Sequence, residues 1–94
     1  MKVKQGFVLC ETDGKYVAVA TGKLASQFHG LITMNKSGKF LWEQLSEHIS
    51  AQELTDRLLK VCKADPALVQ NSVQAFLQKM YSAGILELDR GESL

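Results

Sequence analysis

Few residues of this sequence belong to the types that carry out catalysis or hold metal ions. His29 and His48 lie far apart, and neither belongs to a His-x-x-x-His or Cys-x-x-Cys spacing that would bring two ligands to one metal. Cys10 and Cys62 have no neighbouring base in the sequence to activate a thiol, and no Gly-x-Ser-x-Gly elbow is present. We therefore expect no catalytic residue, no metal site and no cofactor, and infer that the protein works by binding.

The composition is that of one small globular domain. The chain has 94 residues, of which 46% are apolar and 22% charged, the balance of an ordinary globular protein. Its 11 basic and 10 acidic residues give a net charge of +1, without the basic excess of proteins that bind nucleic acid. No stretch approaches a membrane span of about 20 apolar residues or the apolar run of a signal peptide. We expect a single cytoplasmic domain over residues 1–94, with no nucleic-acid or membrane partner.

The first third of the chain has the composition of β-strands. Residues 7–12 and 15–20 are rich in β-branched and aromatic side chains, which favour strands. Asp13 and Gly14 between them fit a two-residue type I′ turn, because both of its central residues need a positive φ. After a loop, residues 31–34 predict a third strand.

Three helices are predicted after the strands, and each follows a residue that caps helix N-termini well: Asn35, Ser50 and Asp65. The first helix is expected to end at about residue 47. The second has Glu53 at the position that completes a capping box, and the third begins with Pro66. Gly84 fits a left-handed cap at the end of the third helix. Strands followed by helices predict an α+β domain with helices on one face of the sheet.

The third predicted helix, residues 66–83, has an asymmetric apolar surface. At about 100° per residue, a narrow stripe expected to face the core holds Val69, Val73, Phe76 and Met80. Leu77 and Tyr81 lie beside this stripe, next to Gln70 and Gln74. Their apolar surface is either covered by another part of the domain or lines a groove.

The third strand is a candidate for binding a peptide. An unpaired strand edge offers a row of backbone donors and acceptors, to which a peptide can add as a further strand. Residues 31–34 lead directly into a helix and fit such an edge. The alternative is an ordinary strand that is paired on both sides or shielded by the preceding loop.

One stretch of the sequence resembles a known family. Residues 34–42, Met-Asn-Lys-Ser-Gly-Lys-Phe-Leu-Trp, match the pattern apolar-Asn-x-Ser/Thr-Gly-x-x-apolar-Trp of the PqqD family, the small coenzyme pyrroloquinoline quinone synthesis D proteins and their relatives. Later pieces are similar in order and spacing: Ser50-x-x-Glu53-Leu54, Val73-x-x-Phe76-Leu77 and Gly84-Ile85-Leu86. The resemblance covers residues 5–88. The chain departs from the family pattern at residues 47–49 and at Ser72, and its loop over residues 21–30 is longer and more irregular than in the quinone-pathway members, which leaves the pathway itself open.

The resemblance implies both a fold and a role. The fold is α+β and winged helix-turn-helix-like, with a three-stranded antiparallel sheet followed by three helices. The role is that of a non-catalytic peptide-binding chaperone or adaptor. Such proteins capture the leader of a ribosomally synthesised precursor peptide by strand addition and present it to a modifying enzyme, often a radical S-adenosylmethionine enzyme.

The resemblance also implies where a leader peptide would bind in this chain. The strand that receives the peptide corresponds to Gly30, Leu31, Ile32, Thr33 and Met34. The groove wall on the third helix is expected at Gln70, Val73, Gln74, Leu77 and Tyr81.

Two other functions stay open at this point. A winged-helix DNA-binding regulator would carry several Lys or Arg residues on its recognition helix, and the third helix has only Lys79. An interaction module that dimerises through the sheet edge is the other alternative. The sequence fits a monomer or a homodimer.

Overall fold

The protein, seen in a computed structural model, is described over residues 1–22 and 32–94. Its strands in chain order are β1 (Lys2–Val3), β2 (Phe7–Thr12), β3 (Lys15–Ala20), β4 (Ile32–Met34) and β5 (Leu86–Glu87). Its helices are α1 (Lys36–Gln44), α2 (Ala51–Val61) and α3 (Pro66–Ser82). Strands β2, β3 and β4 form one antiparallel sheet in that order, and β1 pairs with β5. The predicted α+β fold, a three-stranded antiparallel sheet followed by three helices, is confirmed.

The hairpin of β2 and β3 closes through the predicted turn. Asp13 has a φ of 50° and Gly14 a φ of 75°, the pair of positive values that a type I′ turn requires. Thr12 lies opposite Lys15 at the base of the turn. This turn determines the register of the β2–β3 hairpin, because a two-residue loop allows one pairing of the flanking residues.

The helices begin where the capping residues predict. The side chains of Asn35, Ser50 and Asp65 accept hydrogen bonds from backbone N–H groups in the first turns of α1, α2 and α3. Helix α1 ends at Gln44, earlier than predicted. The chain turns there so that Ile49 can be buried and can exchange backbone hydrogen bonds with Met1.

The core lies between the inner face of the sheet and the helices. Strands β3 and β4 contribute Tyr16, Ala18, Ile32 and Met34, and helix α3 contributes Val69, Val73, Leu77 and Met80. Helix α1 contacts β3 and β4, while α2 packs between α1 and α3. Within the described ranges, no helix is both long and apolar enough to cross a membrane.

A second, two-stranded sheet joins the ends of the chain. Strand β1 pairs with β5. Val3 N also donates to Leu45 O, at the end of α1, at 3.0 Å, and Lys4 N donates to Ile85 O, just before β5, at 2.8 Å. The sequence did not predict this pairing. The β1–β5 sheet connects the end of α1 to the end of α3.

Helix α1 lies directly on strand β4 at Gly38. A Cβ atom added to Gly38 would come within 2.6 Å of the Met34 Cβ, closer than two such atoms can approach. Glycine therefore permits the helix and the strand to be this near to each other.

A cluster of charged groups joins the N-terminus to the C-terminal segment. His48 Nδ1 lies 2.7 Å from one oxygen of Asp89, and the Met1 ammonium donates to its other oxygen at 3.2 Å. The ammonium also pairs with Glu92 at 2.8 Å. The hydrogen bond with His48, followed by the one with the ammonium, holds the pKa of the Asp89 carboxyl below its ordinary value.

Replacing Gly38 with alanine should destabilise the fold although alanine is the better helix former. We expect Gly38→Ala to lose about 1–2 kcal/mol, because overpacking outweighs the gain in helix propensity. Urea unfolding measures the difference. The control Ser37→Ala, at the exposed neighbouring position, should stay within about 0.5 kcal/mol of the unsubstituted chain. Equal stabilities for the two variants would contradict the close approach.

Asp89→Asn should lower stability at neutral pH, and the deficit should shrink in acid. A carboxyl whose pKa is lowered by folding contributes stability that is present above its unfolded pKa, about 3.9. That stability is lost as the pH falls through the lower folded value. Urea unfolding between about pH 3 and pH 7 measures the deficit. In a His48→Ala background the same substitution should cost less, and a deficit independent of both pH and His48 would contradict the assignment.

Candidate functional site

The backbone N–H and C=O groups of Thr33 point away from β3, at the open edge of β4. In an antiparallel pair, the N–H and C=O of one residue point to the same side, and successive residues alternate. The two-residue turn makes Thr12 and Lys15 a hydrogen-bonded pair. Because bonded and non-bonded positions alternate, Val17, two residues further along β3, also bonds toward β2. Its partner in β4 is Thr33, which therefore presents both backbone groups at the edge that no described strand pairs with.

This open edge borders a groove of about 480 Å³, whose opposite wall is α3. Strand β4 contributes Ile32, Thr33 and Met34 to the lining, and the ends of α1 and α2 contribute residues that include Gly38, Leu41, Leu58 and Cys62. The wall on α3 consists of Leu68, Val69, Ser72, Ala75, Phe76 and Lys79. A strand added to β4 would lie about 4.8 Å from it, on the side of the groove.

The α3 wall is mainly apolar and only partly covered. Leu68 is 64% exposed, and Phe76 is half-buried. Ser72 and Ala75 lie on the same side of the helix, where their small side chains leave space for those of a ligand. The groove can therefore take up apolar side chains beside the backbone groups of Thr33.

The groove offers few groups for chemistry. Lys79 and Cys62 are the ionisable side chains among the described lining residues, and no histidine or carboxylate accompanies them there. In residues 1–22 and 32–94, no three His, Cys, Asp or Glu side chains come together as a metal site would require. The lining fits binding, with backbone hydrogen bonds, apolar contact and one positive charge.

The strand residues predicted for the site fall at the groove. Ile32, Thr33 and Met34 line it, with Ile32 and Met34 directed into the core and Thr33 exposed. Gly30 and Leu31 lie outside the described residues. Contact of these residues with a peptide stays a prediction.

The helix residues predicted for the site do not line this groove, and their contact with a peptide stays a prediction. Val73 is 1% exposed and Leu77 0%, and both belong to the core. Gln70, Gln74 and Tyr81 are exposed, the last to 51%, but none of them lines the groove.

The expected and observed helix residues at the groove differ because the buried face of α3 is rotated slightly from the expected one. We placed Phe76 in the core stripe and Leu77 beside it, and the structure buries Leu77 and leaves Phe76 half-buried at the groove. Replacing Phe76 by Leu77 in the buried stripe turns its mean direction by about 25° on a helix with 100° per residue.

Of the two basic residues of α2, Arg57 is paired with neighbouring side chains. Arg57 donates to Gln44 at 2.8 Å and to Glu47 at 3.2 Å, and lies 4.0 Å from Glu53. A guanidinium paired in this way is not free to contact phosphate. On α3, Lys79 is the sole basic side chain.

Comparisons with known proteins give one family and one similar structure. The model of the family described as coenzyme PQQ synthesis protein D (PqqD) matches residues 8–86. No curated protein sequence matches significantly. A solved structure described as TbiB1 in complex with the TbiA(beta) leader peptide is similar over 100% of both chains, with a TM-score of 0.74 and 20% sequence identity. At this identity the likeness concerns the fold.

Two leucines on α3 should differ sharply in their effect on stability. We expect Leu77→Ala to cost about 2–5 kcal/mol, the range for removing a buried leucine side chain. Leu68→Ala should change the free energy of unfolding by no more than about 0.5 kcal/mol, because Leu68 faces the groove and has little packing to lose. Urea unfolding compares the two, and similar costs would contradict the assignment of the core and groove faces.

Proposed function

The chain belongs to the PqqD family, and we propose that it is a non-catalytic adaptor that captures the leader of a ribosomally synthesised precursor peptide. The observation that carries the proposal is the open edge of β4 facing a largely apolar groove. The solved structure of TbiB1 supports it, because that protein has a similar fold and was solved with a leader peptide.

In the proposed complex, the leader extends along β4 as a fourth strand of the sheet. Thr33 donates and accepts the central backbone hydrogen bonds, since both of its backbone groups face the groove. Alternate side chains of the leader then point toward the α3 wall, where Leu68 and Phe76 are partly uncovered. Backbone bonds of this kind hold a peptide of any sequence, and the side-chain contacts give specificity.

Because β4 is short and offers few backbone hydrogen bonds, apolar contact must contribute the larger part of the binding free energy. Two backbone hydrogen bonds at Thr33 contribute a net of about 1–3 kcal/mol, whereas micromolar binding requires about 8 kcal/mol. Burial of apolar surface contributes about 25 cal/mol per Å² and must supply the rest. We therefore expect a leader with apolar side chains spaced to reach Leu68 and Phe76.

The adaptor acts by bringing the rest of the precursor to a second protein. A captured leader holds the attached core segment near the active site of a modifying enzyme and so raises its effective concentration there. Radical S-adenosylmethionine enzymes, the partners implied by the family resemblance, are the class we would test first. The adaptor itself needs no cofactor for this role, and a cytoplasmic location fits a precursor made on ribosomes.

A bulky residue in the groove should block peptide binding. Random peptides of about 12 residues, longer than an ordinary strand, are selected by phage display on the unsubstituted chain, and enriched ones are synthesised and titrated by calorimetry. Ala75→Trp, which fills the groove, should weaken binding at least about tenfold, or 1.4 kcal/mol. Gln74→Trp is the matched control, because the adjacent position is exposed but outside the groove, and should stay within about twofold of the unsubstituted chain.

The two cysteines report where the peptide lies. Cys62 lines the groove, whereas Cys10 is exposed on β2. A bound peptide should slow the reaction of Cys62 with iodoacetamide and leave that of Cys10 unchanged. Peptides that bind Ala75→Trp normally and leave Cys62 unprotected would overturn the proposed function.

A further inference from the structure

Lys79 reaches from α3 to the open edge of β4. Its Nζ donates a hydrogen bond to the carbonyl oxygen of Thr33 at 3.1 Å. This carbonyl is an acceptor that an added strand would use. In the free protein, a lysine therefore occupies part of the proposed peptide-binding edge.

The described charges that line the two cavities beside β4 are all positive. Lys79 lies in the groove, and a second cavity of about 350 Å³, which Thr33 also lines, carries Lys15 and Lys36. No carboxylate is among the described lining residues of either cavity, although the whole chain has 10 acidic residues against 11 basic ones. This local excess of positive charge favours an acidic ligand.

Binding of a strand changes the surroundings of the Lys79 ammonium. A peptide N–H approaches the Thr33 carbonyl near the plane of the sheet, in the region where Nζ now lies. An ammonium displaced from a carbonyl gains most from a carboxylate, because hydrogen bonds between two charged groups are stronger than those to a neutral acceptor. A peptide that supplies a carboxylate at this point replaces the lost contact with an ion pair.

Resting on the proposed function, we propose that Lys79 selects leader peptides that carry an aspartate or glutamate next to the residue bonded to Thr33. On docking, Lys79 exchanges its hydrogen bond with the Thr33 carbonyl for an ion pair with that carboxylate. The preferred ligand is thus an extended segment with apolar side chains for the α3 wall and one acidic side chain at a defined position.

Selections on two forms of the chain test this preference. Phage-displayed peptides selected on the unsubstituted chain should be enriched in Asp or Glu at one position. Peptides selected on Lys79→Glu should carry Lys or Arg there instead. For a synthesised acidic peptide, changing that residue to its amide should weaken binding to the unsubstituted chain about three to five times, the upper part of the range for an exposed ion pair. The loss should diminish as salt screens the charges.

Two lysine variants distinguish the ion pair of Lys79 with the peptide from the general effect of removing a positive charge. With Lys79→Met, the acidic peptide and its amide should bind within about twofold of each other. Lys60→Met, which removes an exposed lysine outside the groove, should leave the full difference in place. Equal discrimination by Lys79→Met and the unsubstituted chain would overturn the proposal.

The same experiments distinguish a failure of the Lys79 proposal from a failure of the proposed function. If Lys79→Met still prefers the acidic peptide while Ala75→Trp loses binding and Cys62 is protected, peptides dock in the groove and the role of Lys79 alone fails. If no selected peptide protects Cys62 or responds to Ala75→Trp, both proposals fall.

Discussion

The contact between Gly38 and Met34 determines how closely α1 lies on β4. No Cβ atom fits at Gly38, where it would come within 2.6 Å of the Met34 Cβ, so glycine permits the close approach of the helix to this side chain. Both residues also line the groove. Their contact therefore holds β4 against the core by one face, while one edge of the strand stays open toward α3.

The three sides of helix α3 face different surroundings. One side, with Val73 and Leu77, is buried in the core, and a second side, with Leu68 and Ser72, faces the groove. The remaining side is polar and exposed. Because the core residues hold the helix in place, the groove side can leave apolar surface uncovered, which a binding site needs and a stable core avoids.

Local sequence signals predict most of the fold. The parts that the sequence does not predict depend on contacts between distant segments. The Asp13–Gly14 turn and the Asn35 cap act on neighbouring residues, so the sequence alone reveals them. The β1–β5 pairing joins opposite ends of the chain, and no local pattern encodes it. The same limit applied to α3, where a helical wheel orders the side chains by angle but does not say which neighbour covers each side. The helix residues expected at the peptide site therefore lie on a different flank of α3 from the groove, whereas the strand residues Ile32, Thr33 and Met34 line it.

The most direct test of a peptide-binding edge is amide hydrogen exchange at Thr33. Its N–H points into the groove, whereas the neighbouring N–H groups of β4 point toward β3 and are bonded there. A peptide that adds as a strand should slow exchange at Thr33 at least about tenfold, with little change at Ile32 and Met34. Exchange at Thr33 that stays unchanged when the chain is saturated with a bound peptide would contradict strand addition at β4.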